Sequence, residues 1–276
     1  MPWMEFRVHD SAGSLQATGR ARSGRVESVA GSMVHRGLVR LLDQWNGSVS
    51  VGDTLTITVY SSSPTGAQFV YDIFKGKITR VRPDGDHTLV EGASAAASLL
   101  VKSSKVRAWS NAMSSRVLRD LLGEAGVSPG SIPSAMTTKL LHVWNTEGAL
   151  LAHEVSSLLY SNHPGFLAFS DYEGELLIGT RADLAKTFSL VAFPTDATMR
   201  ETGPDIERVQ FSMRPVCAHQ AVFDPFTRLC LGTVESAVHE ITPMGKAYTE
   251  IILDRTPDSA VWGYVASKAP AAVEPS

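Results

Sequence analysis

The alternation of apolar and polar positions predicts strands at both ends of the chain and helices in the middle. The clearest strand signal covers residues 54–60, where β-branched side chains alternate with period two. Residues 69–81 and 88–92 continue the pattern on either side of a Pro-Asp-Gly-Asp turn at 83–86. Short strands separated by Gly, Pro and Asp predict that residues 1–106 form a small barrel or sandwich.

Three stretches of this first region have weaker patterns. Residues 11–25 are polar and contain several glycines, which predicts a mobile loop. Residues 37–42 are apolar but short, and fit either a strand or a helical turn. Residues 93–100 are small and apolar, and their pattern favours neither element.

A helical pattern begins after Trp109. Ser110 or Asn111 is a suitable N-cap, and Gly123 or Gly126 is a suitable end. One apolar stripe at helical spacing joins these ends, formed by Met113, Val117, Leu118, Leu121 and Leu122.

Residues 141–179 predict a second helix followed directly by a β-hairpin. Asn145 or Thr146 is expected to cap the helix, and Glu147 places a negative charge at its positive end. The apolar stripe consists of Leu150, Leu151, Val155, Leu158 and Leu159, and Asn162 and Pro164-Gly165 end it.

The hairpin consists of two apolar runs, 166–169 and 176–178, joined by the turn sequence Asp171-Tyr172-Glu173-Gly174. Together, these patterns predict that residues 107–185 form an α+β insert of two helices and a hairpin.

Strand patterns return after the insert. Residues 188–193, 206–213 and 217–223 are apolar or alternate, and 233–253 contain a second hairpin around Thr242-Pro243-Met244-Gly245. These patterns predict a second β-region over residues 186–265. The Pro- and Ala-rich residues 266–276 predict a flexible tail. The expected fold class is therefore α+β and mainly β.

The composition of the 276 residues limits the functional classes. A content of 43% hydrophobic and 19% charged residues suits ordinary cores, and a net charge of −3 argues against a dedicated nucleic-acid binder. Two cysteines exclude a disulfide scaffold and leave the redox compartment open. We expect no signal peptide and no membrane span, and therefore a soluble protein made in the cytoplasm.

One set of residues has the chemistry of metal ligands, namely Cys217, His219, Cys230 and His239. Their C-x-H…C…H spacing is not that of a zinc finger, so we expect core and strand positions instead of a metal site.

Two acidic sets could serve an enzyme. His153-Glu154 lies on the second helix without a histidine four residues later, so the zinc-protease pattern fails and a polar helix face is expected. Asp171, Glu173 and Glu175 form a carboxylate cluster that could serve a glycosidase, but solvated turn residues are the simpler interpretation. Nucleophile-elbow, phosphate-loop and dinucleotide motifs are absent from the sequence. We therefore predict no catalytic residue, no cofactor and no metal.

Three pairs of short motifs carry a family resemblance. They are WNT at 144–146 with EGEL at 173–176, LGTVESAVH at 231–239 with GKAYTEIIL at 245–253, and GDTLTI at 52–57 with FKGKI at 74–78. This order resembles that of baseplate hub proteins of contractile-tailed phages, the late-control tail protein family. It is also similar to the hub part of type VI secretion spike proteins.

The resemblance implies two tail-tube-like β-barrel domains with the helical insert between them. It also implies a homotrimer whose six barrels form a pseudo-hexameric ring joining the sixfold tail tube to the threefold central spike. The implied partners are the tail tube protein, the central spike protein, other baseplate proteins near the wedge and sheath, and DNA or a tape-measure protein passing through the lumen.

The implied location is the virion tail baseplate, assembled in the host cytoplasm, and the implied role is not enzymatic. The chain is short for this family, so a piercing tip or lytic domain is expected on another chain. Two alternatives stay open. One is a tail-associated peptidoglycan-degrading enzyme with Asp171, Glu173 or Glu175 as acid and base. The other is a carbohydrate-binding tail module.

Overall fold

The computed structural model describes residues 2–42, 48–62, 68–128 and 132–270. Strands account for far more of these residues than helices do, so the α+β, mainly β fold class is confirmed.

The first β-region contains the strands β1 (Trp3–His9), β2 (Leu15–Arg20), β3 (Ser23–Val29), β4 (Arg36–Leu42), β5 (Thr54–Ser62), β6 (Gln68–Pro83) and β7 (His87–Ser94). The middle of the chain contains α1 (Ala95–Leu100), β8 (Ser104–Met113), α2 (Ser114–Glu124), α3 (Ser134–Thr138), β9 (Leu140–Leu150), α4 (Leu151–Asn162), β10 (Phe166–Ser170), β11 (Leu176–Thr180) and α5 (Arg181–Thr187). The last region contains β12 (Val191–Ala192), β13 (Met199–Thr202), β14 (Ile206–Phe211), β15 (Ala221–Phe223), β16 (Cys230–Ile241), β17 (Ala247–Asp254) and α6 (Ser259–Lys268).

The two β-regions form one continuous 13-stranded sheet. Its main path is β13-β14-β17-β16-β3-β4-β7-β6-β5-β1-β2, and β12 and β15 join it through β16. The regions meet where β16 pairs antiparallel with β3, with Ser236 opposite Val29 and Ile241 opposite Gly24. Among the described strands this path is open, and the expected pair of closed barrels is not found.

Apolar packing nevertheless divides the chain into separate cores. The first β-region encloses a core around Phe6, Ile57 and Phe74, to which Met213 and Ile241 of the last region also contribute. The last region has a separate core, which is formed mainly by Val209, Phe211, Val234, Ile251 and Leu253. The middle region has its own core of Leu118, Leu121, Val155, Leu158 and their neighbours, and it includes Leu100 of α1.

The two predicted helices begin later than expected because β8 and β9 pair with each other. Ser110 and Asn111 are strand residues of β8, and α2 starts at Ser114. Asn145 and Thr146 lie inside β9, and α4 starts at Leu151. The Thr146 hydroxyl donates to the Lys105 carbonyl at 2.7 Å, so this residue bridges two strands and does not cap a helix.

Of the other predictions from the sequence, some are wrong and some are confirmed. The predicted loop at 11–25 is wrong, since it contains β2 and the start of β3. Residues 37–42 are strand, and α1 occupies the end of the undecided 93–100 stretch. Both predicted hairpins, β10–β11 and β16–β17, are confirmed.

The predicted flexible tail is wrong for its first residues. Helix α6 is capped by Asp258, continues to Lys268 and is followed by the buried Ala269. Residues 271–276 of that tail lie outside the described part of the chain.

Candidate functional site at the Tyr172 hairpin

The turn between β10 and β11 has a tightly specified backbone. Gly174 N donates to the Asp171 carbonyl at 3.1 Å, and one Asp171 carboxylate oxygen accepts from Glu175 N at 2.9 Å. Gly174 has φ +79°, a left-handed conformation that glycine adopts without steric cost. The turn therefore presents the residue between these groups, Tyr172, in a defined direction.

The turn packs directly on the first β-region. Ala96 N donates to the Gly174 carbonyl at 3.4 Å, and a Cβ at Gly174 would lie 2.7 Å from the Lys75 carbonyl oxygen. On the adjoining strand, the Ser170 hydroxyl donates to the Met33 carbonyl at 2.7 Å. These contacts attach the hairpin of the insert to β6, to α1 and to the segment that precedes β4.

Tyr172 lies near two buried histidines from different regions. Its ring centroid is 5.6 Å from that of His35, before β4, and 6.4 Å from that of His239 on β16. Phe74 meets the His35 ring edge-on at 5.6 Å, and the buried Tyr172 hydroxyl lies beside the Cys217 thiol. We call Tyr172, His35, His239, Phe74 and Cys217 the Tyr172 junction, because they join all three parts of the chain.

The hydrogen bonds define the tautomers of both histidines. His35 Nδ1 donates to the Asp171 carbonyl at 3.2 Å, whereas its Nε2 is buried and has no hydrogen-bonding partner in the described chain. His239 Nε2 donates to the Val216 carbonyl at 2.8 Å, and its Nδ1 lies 3.0 Å from the Thr249 hydroxyl. Each ring carries one proton on the nitrogen that faces a carbonyl.

Burial keeps the groups of this junction uncharged. Desolvation lowers the pKa of His35 and of His239 to about 4 in each case. Burial raises the pKa of the Tyr172 hydroxyl well above its usual range and also raises the pKa of the Cys217 thiol. At neutral pH the junction therefore contains neutral imidazoles, a phenol and a thiol, and it lacks an activated nucleophile.

A second contact ties the insert to the last β-region. Arg181, the first residue of α5, forms an ion pair of 2.6 Å with Asp254 and donates from Nε to the Thr233 hydroxyl, also at 2.6 Å. Close by, Phe169 packs edge-on against His219 with centroids 4.9 Å apart. Burial, and next the charge of Arg181, lower the pKa of His219 to about 4.

The four residues weighed as metal ligands have different surroundings. Cys217 and His239 belong to the Tyr172 junction, whereas His219 packs against Phe169. Cys230 packs beside the cluster formed around α6, and both thiols are free. Within the described ranges, no group of three or more His, Cys, Asp or Glu side chains is arranged to hold a metal ion.

The three hairpin carboxylates do not converge on a common cleft, and Glu175 is exposed. Asp171 is used by the turn, and burial raises its pKa. Glu173 is exposed and forms a 3.8 Å ion pair with Lys75. An open cleft of about 670 Å³ lies beside the outer side of α4 and is lined in part by Met33, Leu159 and Phe166, but by none of these carboxylates.

The His153-Glu154 pair is only partly on a polar face. His153 is exposed as expected, but Glu154 is buried in the first turn of α4. Its negative charge there is favoured by the helix dipole.

Sequence patterns did not identify the Tyr172 junction. The available signal was an aromatic residue within an otherwise polar turn, since such turns usually consist of small and polar residues. His35 gave no comparable signal, because its neighbours form no regular pattern.

No protein-family model matches the sequence, and no curated protein matches it. Solved structures do match. The 43 kDa tail protein of prophage MuSo2 from Shewanella oneidensis superposes with a TM-score of 0.64 at 11% identity, covering 91% of this chain and 98% of that one. The tail protein from Neisseria meningitidis MC58 gives a TM-score of 0.61 at 8% identity, covering 94% and 98%.

A third similar structure is the E. coli c3393 protein, a component of the type VI secretion system with structural similarity to the T4 bacteriophage tail proteins gp27 and gp5. It gives a TM-score of 0.62 at 10% identity and covers 86% of this chain and 73% of that one. None of the helices in the described ranges has the length and apolar character needed to cross a membrane. The resemblance predicted from the sequence motifs is confirmed at the level of the fold: this chain has the fold of phage tail proteins and of a type VI secretion component.

Proposed function

We propose that this protein is the structural baseplate hub of a phage tail or of a phage-like contractile injection machine. The observation that carries the proposal is the match to two phage tail proteins over more than nine-tenths of both chains. In this proposal, three copies form a pseudo-hexameric ring that joins the sixfold tail tube to the threefold central spike.

The ring would use residues 1–106 and 186–265 as two tube-like β-domains and residues 107–185 as the insert. The three main apolar cores support this division, and two smaller clusters pack α5 and β10 of the insert against the last region. The pairing of β3 with β16 and the Tyr172 junction would hold the two β-domains in a fixed relative orientation. A ring that transmits force between tube and spike needs such rigidity.

The proposed role is not enzymatic. Asp171 and Glu173 are engaged in a turn and an ion pair, and their surroundings favour a contact role over acid–base chemistry. The proposed partners are two further copies of this chain, the tail tube protein, the central spike protein and neighbouring baseplate proteins. DNA or a tape-measure protein would pass through the lumen, and the location would be the virion tail, assembled in the host cytoplasm.

The mass of the purified full chain in solution tests the proposal. Sedimentation velocity should give three times the 29.7 kDa of one chain, and negative-stain electron microscopy should show a ring. If the chain alone is monomeric, the measurement is repeated with the tube and spike proteins of the same tail. A monomer in that mixture as well would contradict the proposal.

A peptidoglycan-clearing assay distinguishes the hub proposal from the enzymatic alternative. We expect no loss of turbidity when the purified chain is added to peptidoglycan. Clearing that is abolished by Glu173→Gln, with the same variant still folded, would replace the hub proposal with a lytic function.

A further inference from the structure

We infer that the Tyr172 junction is an acid-sensitive latch, in which protonation of His35 and His239 releases the hairpin tip from the two β-regions while the three cores stay folded. The inference rests on the arrangement of the junction and is independent of the proposed function.

A second proton on the His35 ring would create a buried hydrogen-bond donor that has no acceptor. Its Nδ1–H already faces the Asp171 carbonyl, and its Nε2 is buried without a partner in the described chain. Protonation would add an N–H and a positive charge in a space bounded by Phe74 and Tyr172. An unsatisfied buried donor costs more than the net gain from a typical hydrogen bond, so the closed junction excludes the protonated form.

His239 responds differently and increases the effect. When protonated, its Nδ1–H can donate to the Thr249 hydroxyl, which can in turn donate to the Arg214 carbonyl at 3.2 Å. His239 therefore keeps its hydrogen bonds, but its charge is buried close to that of His35, since both rings lie near Tyr172. Two positive charges buried this close together repel each other, because little solvent separates them.

The charged groups around the junction do not offset the positive charges that protonated His35 and His239 would carry. On the hairpin, the Asp171 carboxylate accepts from Glu175 N, and Glu173 pairs with Lys75 of β6. From the last region, Arg214 adds a further positive charge, although it forms an ion pair with Asp196.

The remaining titratable groups that face the junction, Tyr71 on β6 and Cys217, stay neutral because burial raises the pKa of each. The described hydrogen bonds and ion pairs include none between a carboxylate and either imidazole.

A small set of contacts holds the hairpin tip against the first β-region. It is held there by the Gly174 carbonyl contact, by Ser170, by the ion pair of Glu173 with Lys75, and by the Asp171 carbonyl on His35 itself. Its own hydrogen bonds and those of β10 with β11 lie within the hairpin, so they survive its release. Opening of the tip therefore frees His35 and removes Tyr172 from beside His239, and the tip residues 171–175 belong to none of the three cores.

Hydrogen exchange of the full chain tests the latch at pH 7.5 and pH 5.0, with labelling times scaled to the pH dependence of intrinsic exchange. For each histidine that becomes exposed, we expect protection of peptides spanning residues 31–36 and 170–175 to fall by about thirtyfold at the lower pH. Peptides from α2 should keep their protection. Equal protection of the hairpin at both pH values would overturn the inference.

Two variants distinguish the proposed latch from a general sensitivity of the fold to acid. His35→Asn places an amide donor near the Asp171 carbonyl but does not titrate in this range, so it should lose a large part of the pH effect. His153→Asn, an exposed position on α4, should behave like the wild type. A pH effect in His35→Asn as large as in the wild type would contradict the latch.

A measurement on the unaltered chain covers the case in which His35→Asn does not fold. Cys217 lies beside Tyr172 and is fully buried. Its labelling by 4,4′-dithiodipyridine, which reacts in acid, should be at least about tenfold faster at pH 5.0 than at pH 7.5, relative to the half-buried Cys230. Labelling of Cys217 that remains equally slow at both pH values would refute the release of the tip.

Discussion

Replacing Gly174 with alanine tests how much the hairpin turn contributes to holding the chain together. Gly174 has φ +79° and Gly165, at the other end of the same hairpin, has φ +86°. A Cβ at Gly165 would meet nothing within 4 Å, whereas one at Gly174 would lie 2.7 Å from the Lys75 carbonyl oxygen. Gly165→Ala is therefore a matched control that has the backbone strain without the collision.

The free-energy costs of the backbone strain and of the collision can be worked out separately. A non-glycine residue in the left-handed region costs about 1–2 kcal/mol, and this applies to both variants. At Gly174 the obstructing atom belongs to the backbone of β6, so the turn must move away. That movement weakens the hydrogen bonds from Ala96 N and from His35, at about 1 kcal/mol each. We expect about 3–4 kcal/mol for Gly174→Ala and about 1–2 kcal/mol for Gly165→Ala.

Urea unfolding and thermal melting of both variants measure this difference. At about 2–4 °C per kcal/mol for a large domain, Gly174→Ala should melt about 5 °C below Gly165→Ala. If the two variants lost the same stability, the turn would not be pressed against β6 in solution. The description of the Tyr172 junction as a three-part contact would then be wrong.

Two further substitutions test the insert. Arg181→Gln removes the partly buried ion pair with Asp254 and should cost about 2 kcal/mol in urea unfolding, whereas Arg208→Gln, at an exposed pair, should cost less than about 1 kcal/mol. Leu118→Ala empties a fully buried position of the insert core and should cost about 3 kcal/mol, but Val106→Ala, at 76% exposure, should change stability by less than about 0.5 kcal/mol. Equal losses within either pair would contradict the assigned burial.

Local patterns predicted the elements that are stabilised by near neighbours in the sequence. The two hairpins follow from their turn residues, and the apolar stripes of α2 and α4 follow from helical spacing. The starts of both helices were wrong because β8 and β9 pair across a long stretch of sequence, with Ser110 opposite Val143. Strand pairing between distant segments overrides the local preference of Ser110 and Thr146 for a cap.

The same reason explains why the candidate site was only partly predicted. The sequence predicted the hairpin turn, but the contacts of that turn come from His35 and His239, which lie far apart in the chain. Likewise, the continuous sheet depends on the pairing of β3 with β16, which no local pattern reports. Chemical motifs report residues that are close in the sequence, so they could not bring the neutral histidines of distant segments to one turn.

The buried histidines also predict how stability depends on pH. His219 has a pKa of about 4 in the folded chain and about 6.5 when unfolded, so the unfolded chain binds the extra proton over that interval. Its stability contribution is therefore complete above about pH 6.5 and is lost progressively as the pH falls toward 4. Between pH 7.5 and pH 5.0 the free energy of unfolding should fall by about 2 kcal/mol for this group.

Comparison of His219→Asn with the wild type isolates this contribution from the carboxylates that titrate in the same range. Asparagine tolerates the left-handed backbone, with φ +69°, found at this position. The variant loses the contact between Gly31 N and Nε2, so its stability at pH 7.5 should be lower. However, its decline from pH 7.5 to pH 5.0 in urea unfolding should be about 2 kcal/mol shallower than that of the wild type. Parallel pH profiles would show that His219 is already protonated or solvated in the folded protein, which would contradict its burial against Phe169.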